Sequence, residues 1–116
     1  MPASPPTFTV SGTGTNQVSS ATVDGRPFQF NRGHGYRQHR TGPATNPARA
    51  GAAEGVETAI ARDVLVRMGR GETFTGQPPR IADPAGPTVV VNGVTIRYNV
   101  IRLPDGTIRI SDYMAL

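Results

Sequence analysis

The clearest hydrophobic pattern in the chain is a four-residue repeat near its middle. The apolar positions of this repeat and its neighbours are Val56, Ile60, Ala61, Val64, Leu65 and Met68. Such spacing places apolar side chains on one face of a helix. The other sides carry Glu57, Arg62, Asp63 and Arg67. Asn46 is a favoured N-cap, Pro47 suits the first helical position and Gly69 favours an end. The pattern therefore predicts an amphipathic helix over residues 46–70.

A strand pattern fills residues 88–114. It begins with a run of β-branched residues. The dipeptide Asn92-Gly93, the strongest two-residue hairpin signal, ends this run. An alternating stretch follows over 94–103, and Pro104-Asp105-Gly106 turns the chain into a last strand over 107–113. These signals predict an antiparallel β-meander.

The rest of the chain predicts short strands and loops. The first six residues are Pro-rich and indicate a linker or disordered end. The polar, basic stretch 31–40 predicts a loop with one or two helical turns, and 72–87, with four prolines, predicts an irregular crossing. Short strands are predicted over 7–10, 18–23 and 27–30. Together these elements predict a single α+β domain over 1–116, with one main helix packed on the C-terminal meander.

The two faces of the meander differ in chemistry, because successive strand residues point to opposite sides. Apolar side chains share the face expected under the helix: Val94, Ile96, Tyr98 and Val100 on one strand, and Ile108, Ile110 and Met114 on the last. The opposite face is expected to display Arg97, Asn99, Arg109, Ser111 and Tyr113. Two neighbouring arginines repel each other unless an anion lies between them, which favours an anion-binding face over a plain solvated one.

Composition narrows the function classes. The 116 residues hold twelve positive side chains, all arginine, against eight acids, for a net charge of +4. A basic small domain favours an anionic partner, and nucleic acid is the first candidate. The absence of cysteine excludes thiolate zinc sites and cysteine nucleophiles, and two histidines make a metal site unconvincing. No apolar run approaches the roughly 20 residues that a membrane-spanning helix needs.

The stretch 32–40 concentrates the chemistry, with three arginines, one tyrosine and both histidines of the chain. Histidine suits proton transfer near neutral pH, arginine binds phosphate oxygens and tyrosine can stack on a base. On a helical turn His34 and Arg37 would share a face. We expect His39 to lie on a different face, outside the same site. A solvated basic loop without function is the alternative.

The order of these features resembles the C-terminal toxin domains of bacterial polymorphic toxins, in the superfamily of barnase-, EndoU-, colicin- and RelE-like ribonucleases. A strand leads into the His-centred segment 28–34, the helix 57–68 follows, and the last strand reads Asp-Gly-Thr-Ile-Arg-Ile-Ser-Asp-Tyr over 105–113. The resemblance implies a ribonuclease that needs no metal or other cofactor. It implies catalytic roles for His34, Arg37, Arg109, Ser111 and Tyr113. Substrate contacts would come from Tyr36, His39, Arg40, Arg97 and Asn99.

The same resemblance implies the setting of the domain. It would be delivered as the tail of a larger secreted protein and act, as a free monomer, on RNA in the cytoplasm of a target cell. A cognate immunity protein, expected to be acidic, would cover its basic face.

Three other functions stay open at this stage. The first is a module that binds nucleic acid without cleaving it, and the second is a structural part of a phage or secretion system. The third is an ADP-ribosyltransferase toxin, which would need a catalytic Glu. The three glutamates, Glu54, Glu57 and Glu72, do not lie on predicted strands.

Overall fold

Eight strands in one mixed sheet pack against one long helix in the part of the chain that the computed structural model describes, residues 6–42, 44–76, 79–81 and 86–116. The helix is α1, Ala53–Gly69. The strands are β1 (Thr9–Ser11), β2 (Val18–Val23), β3 (Arg26–Phe30), β4 (Phe74–Thr75), β5 (Arg80–Ile81), β6 (Thr88–Val91), β7 (Val94–Arg102) and β8 (Ile108–Ala115). This arrangement confirms the predicted α+β class. The predicted linker lies outside the described residues except for Pro6.

The sheet joins the two ends of the chain. Its strand order is β1-β2-β3-β8-β7-β5-β4, and β6 pairs with β7. The predicted meander of β6, β7 and β8 is confirmed. The pairing of β3 with β8 is parallel and puts Phe28 beside Ile108 and Gln29 beside Arg109. The predicted irregular crossing contains two short strands, β4 and β5. The parallel pair matters for function because it brings the segment after β3 to the last strand.

The predicted helix over 46–70 is divided in two. Asn46 does cap a helical turn, since its Oδ1 accepts a hydrogen bond from the Ala48 amide at 3.0 Å, but that turn ends at Ala50. Gly51 has φ 129°, a backbone conformation that favours glycine, and α1 begins only at Ala53. The expectation of one continuous helix is therefore wrong at its first turn.

The core lies between α1 and one face of the sheet, here called the inner face. The apolar stripe of the helix is buried there as its spacing predicts: Val56, Ile60, Ala61 and Val64 are all 0% exposed. The sheet contributes Val23, Phe28, Phe30, Ile96, Tyr98, Val100, Ile108 and Ile110. Burial of each large apolar side chain stabilises the fold by about 1.5–3 kcal/mol relative to exposure, which fixes the face that each strand turns toward the helix. None of the helices among the described residues has the length and apolar character to span a membrane.

A β-bulge in β8 changes which side chains face outward. Asn99 pairs with Asp112, whereas the next residue of β7, Val100, pairs with Ile110, so Ser111 is an extra residue in β8. Strict alternation placed Tyr113 on the polar face and Met114 on the apolar face, and both expectations are wrong. Tyr113 is 1% exposed and faces the core. Asp112 and Met114 take the opposite side, here called the outer face, across from Asn99 and Arg97 of β7.

Candidate functional site

The segment that carries both histidines lies beside the second half of β8. Strand β3 ends at Phe30, whereas β8 continues to Ala115, so the chain leaving β3 runs along the free part of β8. The amide of Asn31 donates to the Ile110 carbonyl at 2.9 Å, the last such contact before the chain coils. A wide π-helical turn, Gly33–Arg37, and a 3-10 turn, Gln38–Thr41, follow. The predicted helical turns are therefore present.

Glycine permits the close approach of this segment to β8. A Cβ atom at Gly35 would lie 2.6 Å from the ring of Tyr113, and one at Gly33 would lie 2.2 Å from the Thr15 carbonyl oxygen. Carbon atoms do not pack at such distances, so larger side chains would push the turn away from the strand. Both glycines are buried. Close packing at these two points holds the histidines over the outer end of β8.

Both histidines meet the carboxylate of Asp112. His39 Nε2 lies 3.1 Å from Asp112 Oδ1, and His34 Nε2 lies 3.6 Å from Asp112 Oδ2. The two imidazole rings are 6.1 Å apart between centroids, at an interplanar angle of 75°. We call His34, His39 and Asp112 the histidine–aspartate cluster.

The cluster corrects the expectation that His39 lies away from His34. An α-helix of 3.6 residues per turn separates positions i and i+5 widely, whereas a π-helix bonds residue i to i+5 and brings these positions to the same side. The amide of Arg37 indeed donates to the Arg32 carbonyl, five residues earlier, at 3.0 Å. The wider turn thus puts both rings on one side of the segment.

The cluster orients the protons of its histidines. Asp112 as a carboxylate offers only acceptors, so the bond to His39 assigns a hydrogen to His39 Nε2 and leaves the lone pair on Nδ1. Within the described part of the chain, neither imidazole has a hydrogen-bonding partner at Nδ1. The side chain of His34 is 45% exposed and that of His39 is 20% exposed. The cluster therefore exposes part of two imidazoles that contact one carboxylate.

Two arginines lie on the same outer face as Asp112. Arg109 lies three residues before Asp112 on β8, and its Nη1 donates to Gln29 Oε1 of β3 at 2.6 Å. Arg97 is exposed on β7, with its guanidinium 3.7 Å from the Met114 sulfur. Asn99 is exposed and pairs in register with Asp112. The predicted convergence of Arg97, Asn99 and Arg109 on one face is thus seen in the structure.

Two more of the predicted residues lie near the cluster in sequence. Ser111 is the bulged residue directly before Asp112, is half-buried, and its hydroxyl makes no hydrogen bond to any described residue. Arg37 is exposed on the π-helical turn, and its Nε donates to Gln17 Oε1 at 3.1 Å. Both side chains keep hydrogen-bond donors that could bind an anion.

Three of the predicted residues do not join the cluster. Tyr113 faces the core because of the bulge and is 1% exposed, so its expected place among the catalytic residues is wrong. The hydroxyl of Tyr36 donates to the Gly51 carbonyl at 3.0 Å and its ring packs on the core, which ties the turn to the start of α1 and does not favour base stacking. The side chain of Arg40 lies outside the described residues.

A buried ion pair supports the cluster from below. Glu57 is 0% exposed and accepts four hydrogen bonds. Its Oε1 accepts from Ser19 Oγ and Arg32 Nη2, both at 2.7 Å, and its Oε2 accepts from the Tyr113 hydroxyl at 2.6 Å and from Arg32 Nε at 3.1 Å. We call this group the Glu57 network. It joins α1, β2 and β8 to the residue that begins the π-helical turn.

Burial and charge act together on the groups of this network. Burial alone lowers the pKa of the Arg32 guanidinium, but the hydrogen bonds and charge of Glu57 outweigh it and leave that pKa raised. Burial raises the pKa of the Tyr113 hydroxyl well above 10, and the charge of Glu57 raises it further. Arg32, one of the three arginines of the basic stretch, is therefore engaged with Glu57 and does not face an external anion.

Sequence reasoning missed two residues, Asp112 and Glu57. The prediction that Glu57 lies on the charged side of the helix is wrong. Its spacing to Ile60, Ala61 and Val64 is that of the apolar stripe and could have revealed its burial. Nothing in the local pattern singles out Asp112, because its outward direction depends on the bulge at Ser111.

Other kinds of site find little support. Across the described residues, no group of three or more His, Cys, Asp or Glu side chains is arranged to hold a metal ion. Glu54 and Glu57 lie on α1 and Glu72 follows it, so the glutamates do not lie on strands, as an ADP-ribosyltransferase site of the kind considered above would need. Comparisons with protein-family models, with curated proteins and with solved structures find no match to this chain.

Proposed function

We propose that this protein is an endoribonuclease that cleaves RNA without a metal ion. The observation that carries the proposal is the histidine–aspartate cluster, in which two imidazoles share one carboxylate on an arginine-bearing face. In the reaction, the ribose 2′-oxygen forms a bond to the adjacent phosphorus and the bond from phosphorus to the 5′-oxygen breaks. The products are a 2′,3′-cyclic phosphate and a 5′-hydroxyl end.

The two imidazoles suit the two proton transfers of this reaction. One must accept the proton of the 2′-hydroxyl and the other must give a proton to the leaving 5′-oxygen. His39 is oriented by its 3.1 Å bond to Asp112 so that its Nδ1 lone pair is free, which fits the base. His34 is the more exposed ring, with its Nε2 3.6 Å from Asp112 Oδ2, and this exposure fits the acid. The ring centroids lie 6.1 Å apart, so both imidazoles are near enough to act on one phosphodiester.

Charge that develops on the phosphate would be stabilised by neighbouring donors. Arg109 spends one N–H on Gln29 and keeps the others for phosphate oxygens. Arg37 would supply a second exposed guanidinium, and the Ser111 hydroxyl would donate to a non-bridging oxygen. Loss of one such pre-positioned donor costs about 2.7–4 kcal/mol of transition-state stabilisation in well-studied enzymes.

The test is cleavage of total RNA and tRNA in EDTA, with identification of the 2′,3′-cyclic phosphate. We expect His34→Ala, His39→Ala and Asp112→Asn to slow cleavage, the histidine variants by about 10²–10⁴-fold. Arg62→Ala is the matched control for Arg109→Ala, because Arg62 is exposed on α1 and its ion pair with Asp24 is long, with 3.8 Å between Nε and Oδ2. Intact RNA after incubation with the wild type, or equal cleavage by the His34/His39 double variant, would refute the proposal.

A nucleic-acid-binding module without catalysis is the second candidate, favoured by the net charge of +4. It predicts binding that weakens steeply with salt, no cleavage, and similar losses of affinity for Arg109→Ala and Arg62→Ala. The ribonuclease predicts instead that Arg109→Ala lowers the cleavage rate far more than Arg62→Ala does.

A toxin role follows if the ribonuclease proposal holds. RNA cleavage would stop growth when the domain is expressed alone in bacterial cytoplasm. An acidic inhibitor protein that covers the outer face would restore growth. Growth arrest by the wild type but not by His34→Ala, with RNA degraded in the arrested cells, is the expected result.

A further inference from the structure

A polar groove lies on the outer face of the N-terminal strands. Its volume is about 400 Å³, and its hydroxyl and amide lining comes from Thr7, Thr9, Ser20, Thr22, Gln29 and Thr107. The hydroxyls of Thr7, Thr9, Ser20 and Thr22 make no hydrogen bonds within the described part of the chain. Unpaired donors and acceptors in a concave surface are the features by which proteins bind polar small groups.

The groove adjoins Arg109, which lies on the outer face three residues before Asp112. Strand registers align Thr9 with Ser20, Ser20 with Gln29, and Gln29 with Arg109, so these four side chains form one row across the outer face. Neighbouring strands lie about 4.8 Å apart, which places Ser20 two strands, or about 10 Å, from Arg109. The bond from Arg109 Nη1 to Gln29 Oε1 at 2.6 Å closes the row.

We propose that this groove binds the nucleobase attached to the scissile phosphate. The inference rests on the proposed ribonuclease function and names the substrate subsite. The lining holds no charged side chain, so it suits a neutral group better than a phosphate. Arg109, at the end of the row, provides the cation that the attached phosphate requires. Neutral hydroxyls and an amide can bond to the edges of a base only when that base is unstacked, which points to single-stranded RNA.

Gln29 is the residue that discriminates between bases. Its Oε1 is engaged by Arg109, so the amide is oriented with its NH₂ group available to the groove. An NH₂ donor favours a base that presents a carbonyl oxygen, as uracil and guanine do, over adenine, which has none. Loss of one such hydrogen bond corresponds to a 3- to 10-fold change in affinity, roughly the net strength of a neutral hydrogen bond.

The experiment is a titration of the wild-type protein with 3′-UMP, 3′-GMP and 3′-AMP, followed by amide NMR shifts. These mononucleotides place a phosphate beside the base and have no phosphodiester to cleave. We expect shifts at Ser20 and Gln29, and tighter binding of 3′-UMP and 3′-GMP than of 3′-AMP by about 3- to 10-fold. Gln29→Glu keeps an acceptor for Arg109 but removes the NH₂ donor, and it should abolish this preference.

Matched variants separate the groove from the rest of the sheet. Ser20→Ala should weaken all three nucleotides, whereas Thr75→Val, an exposed substitution on β4, should leave them unchanged. Shifts confined to other surfaces, equal binding of 3′-AMP, or unchanged base preference in Gln29→Glu would overturn the subsite. RNA cleavage with any of these results keeps the ribonuclease and refutes the groove. Base-dependent shifts at Ser20 and Gln29 without RNA cleavage keep the groove and refute the ribonuclease.

Discussion

Replacement of Glu57 by Gln tests whether the buried network holds the helix and the histidine segment together. The substitution keeps the shape of the side chain and removes its charge. All four hydrogen bonds to Glu57 come from donors, two of them on Arg32. A glutamine has one oxygen and one NH₂ group, so in either orientation the NH₂ faces an N–H of Arg32. The hydroxyls of Ser19 and Tyr113 can rotate to accept, but a guanidinium cannot.

The magnitude follows from the burial of the pair. Glu57 is 0% exposed and Arg32 is 8% exposed, so Glu57→Gln leaves the Arg32 charge uncompensated away from water. Loss of one partner of a buried ion pair costs about 3–5 kcal/mol, a large part of the 5–15 kcal/mol that stabilises a typical domain. At about 4 °C per kcal/mol for a chain near this size, the Tm should fall by about 12–20 °C.

Urea denaturation followed by circular dichroism measures the change in the free energy of unfolding. Glu54→Gln is the matched control, because Glu54 is exposed on the same helix one turn earlier and should change stability by less than about 0.5 kcal/mol. Arg32→Met combined with Glu57→Leu removes both charges and should recover much of the loss. Equal, small effects of Glu57→Gln and Glu54→Gln would show that the network does not hold the fold.

Three further predictions concern other contacts. Gly35→Ala should destabilise the protein by about 1–3 kcal/mol, because its Cβ would lie 2.6 Å from the Tyr113 ring. A Cβ at Gly55 on α1 would meet nothing within 4 Å, so Gly55→Ala should stabilise the protein by about 0.5–1 kcal/mol. Equal urea midpoints for the two variants would contradict this prediction. The pKa values of Tyr98 and Tyr113 are raised by burial and by the carboxylates they bind. Their contribution to stability is therefore present below pH 10 and is lost above it, by about 1.4 kcal/mol per pH unit for each tyrosine. A free energy of unfolding that stays constant between pH 9 and 11 would refute this prediction. Asn92→Ala removes a 2.6 Å hydrogen bond from Asn92 Nδ2 to the Ala50 carbonyl and puts alanine at φ 49°, so it should destabilise the protein by about 1–3 kcal/mol. Asn92→Gly loses the same bond but relieves the backbone strain, so urea denaturation should show a smaller loss for it.

Local patterns predicted the elements that depend on local physics. The stripe of Val56, Ile60 and Val64 packs as its spacing indicates, and the Asn92-Gly93 turn joins β6 to β7. Both signals arise within a few residues, from the pitch of a helix and from the positive φ values of a tight turn. The same reasoning failed at Gly51, where one glycine with an unusual φ separates a capped turn from α1.

Long-range pairing was beyond those patterns. The parallel pairing of β3 with β8 puts Phe28 beside Ile108, which is eighty residues away in sequence, and no hydrophobic periodicity predicts this pairing. Yet this contact decides where the chain after Phe30 goes. The meeting of both histidines with Asp112 depends on it and on the pitch of a π-helical turn, which was expected to be α-like.

The bulge at Ser111 is the single irregularity that makes the core and the candidate site compatible. If β8 alternated strictly with no bulge, Tyr113 would turn outward and Asp112 would turn into the core, where its carboxylate would meet apolar side chains. With it, the Tyr113 hydroxyl completes the Glu57 network and Asp112 receives both imidazoles one residue away on the opposite face. Consecutive residues of one strand, Asp112 and Tyr113, thus belong to the histidine–aspartate cluster on the outer face and to the buried Glu57 network. Because Tyr113 anchors the strand through Glu57 and packs on Gly35, the position of Asp112 relative to the histidines depends on the same contacts that stabilise the fold. Deletion of Ser111 would remove the bulge but leave Asp112 outward and Tyr113 inward, because strict alternation would then run directly on from Ile110. This variant should therefore keep the cluster and the Glu57 network, and Ser111→Ala should keep the fold and lose only the hydroxyl.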